Sequence, residues 1–156
     1  MNWMKKVAVA LVCLLPLGLQ AAKIDTLQVK SPSMNKSIEV VVVSPDVAAT
    51  KACPVIYLLH GYGGNACTWV GIKPDLPKIA DEKGIFFVCP DGKNTWYWDS
   101  PLNADVRYET FISNELVKYV DSHYKTVADR KGRAITGLSM GGHGAMWNGL
   151  RHSDVF

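Results

Sequence analysis

Read as hydrophobic and polar positions alone, the chain is a series of short apolar runs separated by loop punctuation. Ile24 to Lys30 and Ser37 to Val43 are rich in β-branched residues, and Ile38, Val40 and Val42 alternate with Glu39, Val41 and Val43. Both runs predict strands, joined as a hairpin by a turn around Ser31-Pro32-Ser33-Met34-Asn35. Pro54-Val55-Ile56-Tyr57-Leu58-Leu59 and Ile85-Phe86-Phe87-Val88-Cys89 are continuously apolar, which suits strands buried on both faces. Between them, Trp69 to Lys83 is expected to be helical in part, interrupted by Pro74 and Pro77 and ended by Gly84.

A long aromatic loop, Pro90 to Ala104, carries Trp96, Tyr97 and Trp98. Asp105 to Tyr124 follows as the strongest helix, with Phe111, Leu116, Val117 and Val120 spaced for one buried face and Glu109, Asn114, Glu115 and Lys118 at other positions. Arg133 to Gly137 predicts a last strand and Met140 to Arg151 a last helix. Strand, crossover helix and strand in repetition imply one α/β domain, a mostly parallel sheet with helices on both faces.

The first residues read differently. Lys5 and Lys6 precede an uncharged, mostly apolar run, Val7 to Leu19, broken by Pro16 and Gly18 and followed by Gln20-Ala21-Ala22. A short basic segment, a brief apolar core and small residues describe a secretory leader over residues 1–21, and the run is short for a membrane span of about 20 residues. The expected mature chain, 22–156, is secreted or periplasmic, with no membrane span after cleavage. Composition adds little beyond this. With 48% hydrophobic and 20% charged residues the chain is an ordinary globular one, and its net charge of +3 includes the two leader lysines. No basic stripe remains for a phosphate backbone, so nucleic acid is not an expected partner.

Export alters the reading of the cysteines. Cys53, Cys67 and Cys89 form no CxxC pair and no zinc spacing. On parallel strands Cys53 and Cys89 would lie at opposite ends of the sheet, too far apart to bridge, and are expected as buried free thiols. Cys67, in a loop, is the thiol that could pair outside the chain. No metal or cofactor is implied.

Chemistry enters at Gly137-Leu138-Ser139-Met140-Gly141, a G-x-S-x-G placed between a predicted strand and a predicted helix. A strand that turns sharply into a helix leaves little space for Cβ atoms at the flanks, hence the glycines. The turn exposes the Ser139 hydroxyl at the carboxyl edge of the sheet, where the helix N-terminus favours developing negative charge. His60-Gly61-Tyr62-Gly63-Gly64 follows the first buried strand. A glycine-rich loop there can present a free backbone N–H to an oxyanion, and the expected donors are the amides of Tyr62 and Met140. A phosphate-binding loop fits less well, since neither G-x-x-x-x-G-K-[ST] nor G-x-G-x-x-G occurs.

Leu58-Leu59-His60-Gly61-Tyr62-Gly63-Gly64-Asn65, Cys89-Pro90-Asp91-Gly92 with Trp96-Tyr97, and Gly137-Leu138-Ser139-Met140-Gly141-Gly142-His143-Gly144-Ala145 together resemble the esterase D-like branch of the α/β-hydrolase fold. That branch holds S-formylglutathione hydrolases, the esterases of carbohydrate esterase family 1 and the mycolyltransferases. The resemblance spans about Ile38 to Phe156, with the three motifs in the family's order. It implies an α/β-hydrolase fold with Ser139 as nucleophile and the Tyr62 and Met140 amides as oxyanion hole. His60, Gly61, Trp96 and Tyr97 are then expected to line the substrate cleft.

One departure matters. The family's triad runs Ser, then Asp or Glu, then His, and the seventeen residues after Ser139 contain His143, His152 and Asp154 with no later histidine. Of the earlier histidines, His60 is expected to order its loop and His123 to sit in solvent or cap a helix. His143, one helical turn beyond Ser139, should project along the helix rather than over the hydroxyl. The chain is therefore expected to be the N-terminal part of a hydrolase domain, truncated after the nucleophile helix and nearly inactive alone, because serine without a base is a poor nucleophile. The expected whole is a secreted serine esterase acting on small-molecule or polysaccharide esters. An acyltransferase of the same fold and a non-catalytic acyl- or glycan-binding protein are the alternatives.

Overall fold

The computed structural model describes residues 22–156; the predicted leader lies outside them. Five strands form one sheet, β1 (Lys23–Ser31), β2 (Lys36–Ser44), β3 (Val55–Leu59), β4 (Phe86–Pro90) and β5 (Arg133–Gly137), in the order β1-β2-β4-β3-β5. The predicted hairpin is β1 and β2, closed by a single turn of 3-10 helix at Pro32–Met34. The sheet has two halves. β1, β2 and β4 are antiparallel neighbours, whereas β4, β3 and β5 run parallel. The parallel expectation thus holds for the half carrying the crossover helices, and the hairpin adds an antiparallel flank.

β2 departs from its alternating pattern. Val40, Val41, Val42 and Val43 are all buried, because β2 lies between β1 and β4 and both its faces are covered. Val40 and Val42 join one apolar layer with Val55, Tyr57, Leu59, Phe86 and Val88, while Val41 and Val43 join Leu58, Phe87 and Cys89 in the other. Strand periodicity divides the core this way, successive side chains entering opposite layers.

The second layer is covered by α1 (Thr68–Ile72) and α2 (Leu76–Lys83), which contribute Leu76 and Ala80. Pro74 separates the two helices, and Pro77 sits in the first turn of α2, where its missing N–H costs nothing. The first layer is covered by two further helices. One is α3, a continuous helical run of Tyr108–Thr110, a wider π-type stretch Phe111–Leu116, and Val117–His123. The other is α4 (Met140–Arg151). The start of α3 falls at Tyr108 rather than Asp105, because Asp99 accepts from the Thr110 amide (3.0 Å) and hydroxyl (2.6 Å) and so holds the preceding loop across the helix entrance. Glu109, expected among the other positions of this helix, is buried.

Cys53 precedes β3 and Cys89 lies near the far end of the parallel β4; both are buried free thiols, and Cys67 is exposed. Burial pushes the Cys89 thiol up to about 12, so it stays protonated and unreactive at neutral pH. Among the described residues no helix is long and apolar enough to cross a membrane.

Candidate active site

The register between β3 and β5 builds the site. Leu59 pairs with Gly137, so the chain leaves both strands at the same edge of the sheet. His60 and its glycine loop emerge beside Leu138 and Ser139, and the Leu138 amide donates back to the Leu59 carbonyl at 3.1 Å. Residues far apart in sequence become neighbours through one strand pairing.

Ser139 is exposed, with φ +53° and ψ −114°, and the helix begins at the next residue. A left-handed φ is rare for a residue with a side chain and costs of order 1–3 kcal/mol, so the surroundings must hold it. Two glycines show how tight they are. A Cβ on Gly137 would lie 2.4 Å from the Gly141 carbonyl, and one on Gly141 would lie 2.1 Å from the Leu59 carbonyl oxygen. The first turn of α4 presses on the end of β3 and forces the sharp reversal that lifts Ser139 out.

The glycine loop packs against this turn, since a Cβ on Gly61 would be 3.6 Å from the Ser139 Cβ. The Gly61 carbonyl accepts from His60 Nδ1 at 2.7 Å and from the Gly64 amide at 3.0 Å. A planar trans peptide directs the Tyr62 N–H opposite to that carbonyl, so these two bonds also fix the Tyr62 amide. Among the described residues, neither the Tyr62 nor the Met140 N–H is engaged by a backbone acceptor. For Met140 this follows from its place at the start of α4. Asn94 pins the loop tip, its Oδ1 accepting from the Gly63 amide at 2.7 Å.

His60 is buried. The Gly92 amide donates to its Nε2 at 2.9 Å, which makes Nε2 an acceptor and puts the ring proton on Nδ1, where it bonds the Gly61 carbonyl. Asp91 Oδ1 also lies 3.4 Å from Nε2, but the amide contact is shorter and sets the tautomer. Burial raises the Asp91 carboxyl, and the Lys93 amide and ammonium, both donating to it, override burial and hold the acid well below the usual carboxylate range.

The aromatic loop arches over this turn. Trp96 and Trp98 are exposed, while Tyr97, expected beside Trp96 in the cleft, is fully buried beneath the loop. Trp96 (φ +58°) and Tyr97 (φ +57°) both adopt left-handed backbone. Helix α4 supports them, as His143 Nδ1 meets the Trp96 carbonyl at 3.1 Å and Asn148 Nδ2 donates to the Tyr97 carbonyl at 3.0 Å. The histidines are therefore occupied elsewhere than at Ser139. His60 orders its loop, His123 Nδ1 contacts the Tyr119 carbonyl at 2.8 Å, His143 supports Trp96, and His152 Nε2 bonds Glu109 at 2.9 Å.

Ser139, Gly61, Tyr62, Met140 and Trp96 are thus gathered at one sheet edge, with His60 and Tyr97 packed below. Asn94 and Asn148 were not singled out from sequence. A polar residue in a turn and an asparagine in a helix carry no local sign of a partner on another element.

The Esterase family model matches residues 31–156. The chain is 32% identical over 102 residues to an acetyl esterase of Caldicellulosiruptor saccharolyticus, covering 65% of this chain and 37% of that one. A ferulic acid esterase structure superposes with a TM-score of 0.75 and 32% identity, over 88% of this chain and 58% of that one. An S-formylglutathione hydrolase from Agrobacterium tumefaciens gives 0.77 and 25%, over 87% and 56%. The chain spans less than two thirds of the length of each of these proteins.

Proposed function

The chain belongs to the esterase family, and on that premise we propose that it carries the nucleophile and the oxyanion-binding loop of a secreted serine esterase with the α/β-hydrolase fold. The observation that carries this reading is the left-handed, solvent-exposed Ser139 at the start of α4, with the Gly61–Gly64 loop packed against it.

In the proposed reaction Ser139 Oγ attacks the ester carbonyl carbon while a general base takes its proton. Charge on the carbonyl oxygen is met by the Tyr62 and Met140 amides, which are fixed before substrate arrives and need little reorganisation. The tetrahedral species collapses, the proton passes to the departing alcohol oxygen, and an acyl group remains on Ser139. Water then repeats the sequence in reverse and frees the acid. The base and its carboxylate partner are assigned to sequence outside the described residues. Supporting this are the other engagements of the four histidines and the partial span of the relatives.

Short-chain acyl esters and esterified plant polysaccharide are the proposed substrates. Exposed Trp96, which packs against His143 on the helix that Ser139 precedes, offers a flat apolar face, and the relatives include an acetyl esterase and a ferulic acid esterase. The leader-like residues 1–21 support export.

The test is covalent labelling of the protein made from its complete coding sequence with a fluorophosphonate, followed by peptide mapping. Label on Ser139, with loss of both label and p-nitrophenyl acetate hydrolysis in Ser139→Ala, is the expected result. Hydrolysis that survives Ser139→Ala, or label on another residue, would overturn the assignment.

A further inference from the structure

We propose that Tyr97 is a positioning residue that sets the separation between the loop carrying the Tyr62 amide and the helix carrying Ser139; this rests on the roles proposed above for those groups. Tyr97 touches both halves of the site. Its hydroxyl donates to the His60 carbonyl at 3.1 Å, and its ring meets the His60 imidazole edge-on with centroids 5.7 Å apart. Its own carbonyl accepts from Asn148 on α4. The ring lies so close to α4 that a Cβ on Gly144 would be 2.6 Å from Tyr97 Cδ2. On its other side a Cβ on Gly92 would be 2.0 Å from Tyr97 Cε1. The ring is a spacer gripped between the Gly92 turn, the His60 loop and α4.

Its backbone supports the same conclusion. Two successive non-glycine residues in the left-handed region persist only where contacts on several sides determine them. A core filler would need neither the hydroxyl bond, nor the two close approaches to glycine, nor this backbone. The His60 carbonyl belongs to the peptide that leads into Gly61, so a bond at that carbonyl bears on the following peptide, whose N–H is that of Tyr62. Loosening Tyr97 should shift the amide donor relative to Ser139 while leaving exposed Trp96 to bind ground-state substrate. Misplacement near the reacting atoms affects the transition state most, and a shift of about 1 Å can lower the rate about a hundredfold.

The experiment compares wild type, Tyr97→Phe, Gly144→Ala and Ser139→Ala in the enzyme made from its complete coding sequence, with p-nitrophenyl acetate as substrate. Expected for Tyr97→Phe is a fall in kcat per titrated active site of about ten- to a hundredfold, with KM within about twofold of wild type. Affinity for a trifluoromethyl ketone should fall by the same factor as kcat. Gly144→Ala, which displaces the same ring from the helix side, should show the same split. Wild-type kcat per titrated site, with only a lower thermal midpoint, would overturn the proposal, as would a raised KM at unchanged kcat. Activity persisting in Ser139→Ala would instead overturn the esterase assignment. Independently of turnover, amide exchange in Tyr97→Phe should quicken in residues 60–64 and 139–144 together; unchanged exchange in both segments would overturn the spacer role.

Discussion

Ser139 and the glycines around it show how little freedom the turn between β5 and α4 has. Gly141 is closed to any side chain, because its Cβ would lie 2.1 Å from the Leu59 carbonyl oxygen, a backbone atom fixed by the pairing of β3 with β5. Gly141→Ala should therefore cost about 3 kcal/mol or more, at the upper end of overpacking. The urea midpoint should drop well below wild type, and a midpoint within error of it would refute the argument. This part of the site was legible in sequence, since the demand for glycine arises locally, where a strand reverses into a helix. The burial of Tyr97 was not legible. It depends on Gly92, Gly144 and the His60 carbonyl, contributed by three different segments.

Helices α3 and α4 are joined by a carboxylate that sequence reading left among the polar positions. Buried Glu109 accepts from Trp147 Nε1 at 2.6 Å, Arg151 Nε at 2.8 Å and His152 Nε2 at 2.9 Å. Its partners lie on and just beyond α4, so periodicity within α3 could not have revealed the burial. Burial raises the Glu109 carboxyl, but the hydrogen bonds from Arg151, Trp147 and His152 and the Arg151 charge prevail and lower it. Asp91 is lowered as well. A group depressed in the folded state stabilises it above the unfolded carboxylate value of about 4 and loses that contribution as pH falls through the folded value. The contribution of these two carboxylates to stability should be full above about pH 5 and decline below about pH 4. Glu109→Gln should flatten part of that decline, and an unchanged acid limb in urea titrations would exclude Glu109 as a contributor. The element boundaries show the same contrast. β5 and α4 start and stop where the sequence pattern placed them, whereas the start of α3 is set by Asp99 reaching across from the aromatic loop.

Over the whole molecule, apolar surface is unevenly covered. Among the described residues β5 forms one edge of the sheet, and beside it Ala134, Ile135, Ala145, Met146, Gly149, Leu150 and Phe156 line an open groove of about 410 Å³. Met146 and Leu150 are 69% and 77% exposed, one helical turn apart. An unpaired strand edge next to apolar surface favours association. Residues 22–156 expressed alone should form concentration-dependent aggregates in light scattering, and Met146→Glu with Leu150→Lys should reduce them. Equal scattering from both proteins would show that this groove is not responsible. The fold class was readable because alternation of strands and helices is a sequence property. The antiparallel pairing of β2 with β4 and the double burial of β2 follow from strand order, which the hydrophobic pattern does not encode.

That strand order has a temporal consequence. Both sheet neighbours of β3, namely β4 and β5, come later in the chain, and β5 arrives last. Closing long segments before distant strands can pair is slow. The His60 loop therefore exists as a flanking turn well before it has a serine beside it, and the two are brought together when β5 docks onto β3. The approach of Ser139 to the His60 loop during refolding should therefore mark the completion of the parallel half-sheet, later than closure of the β1–β2 hairpin.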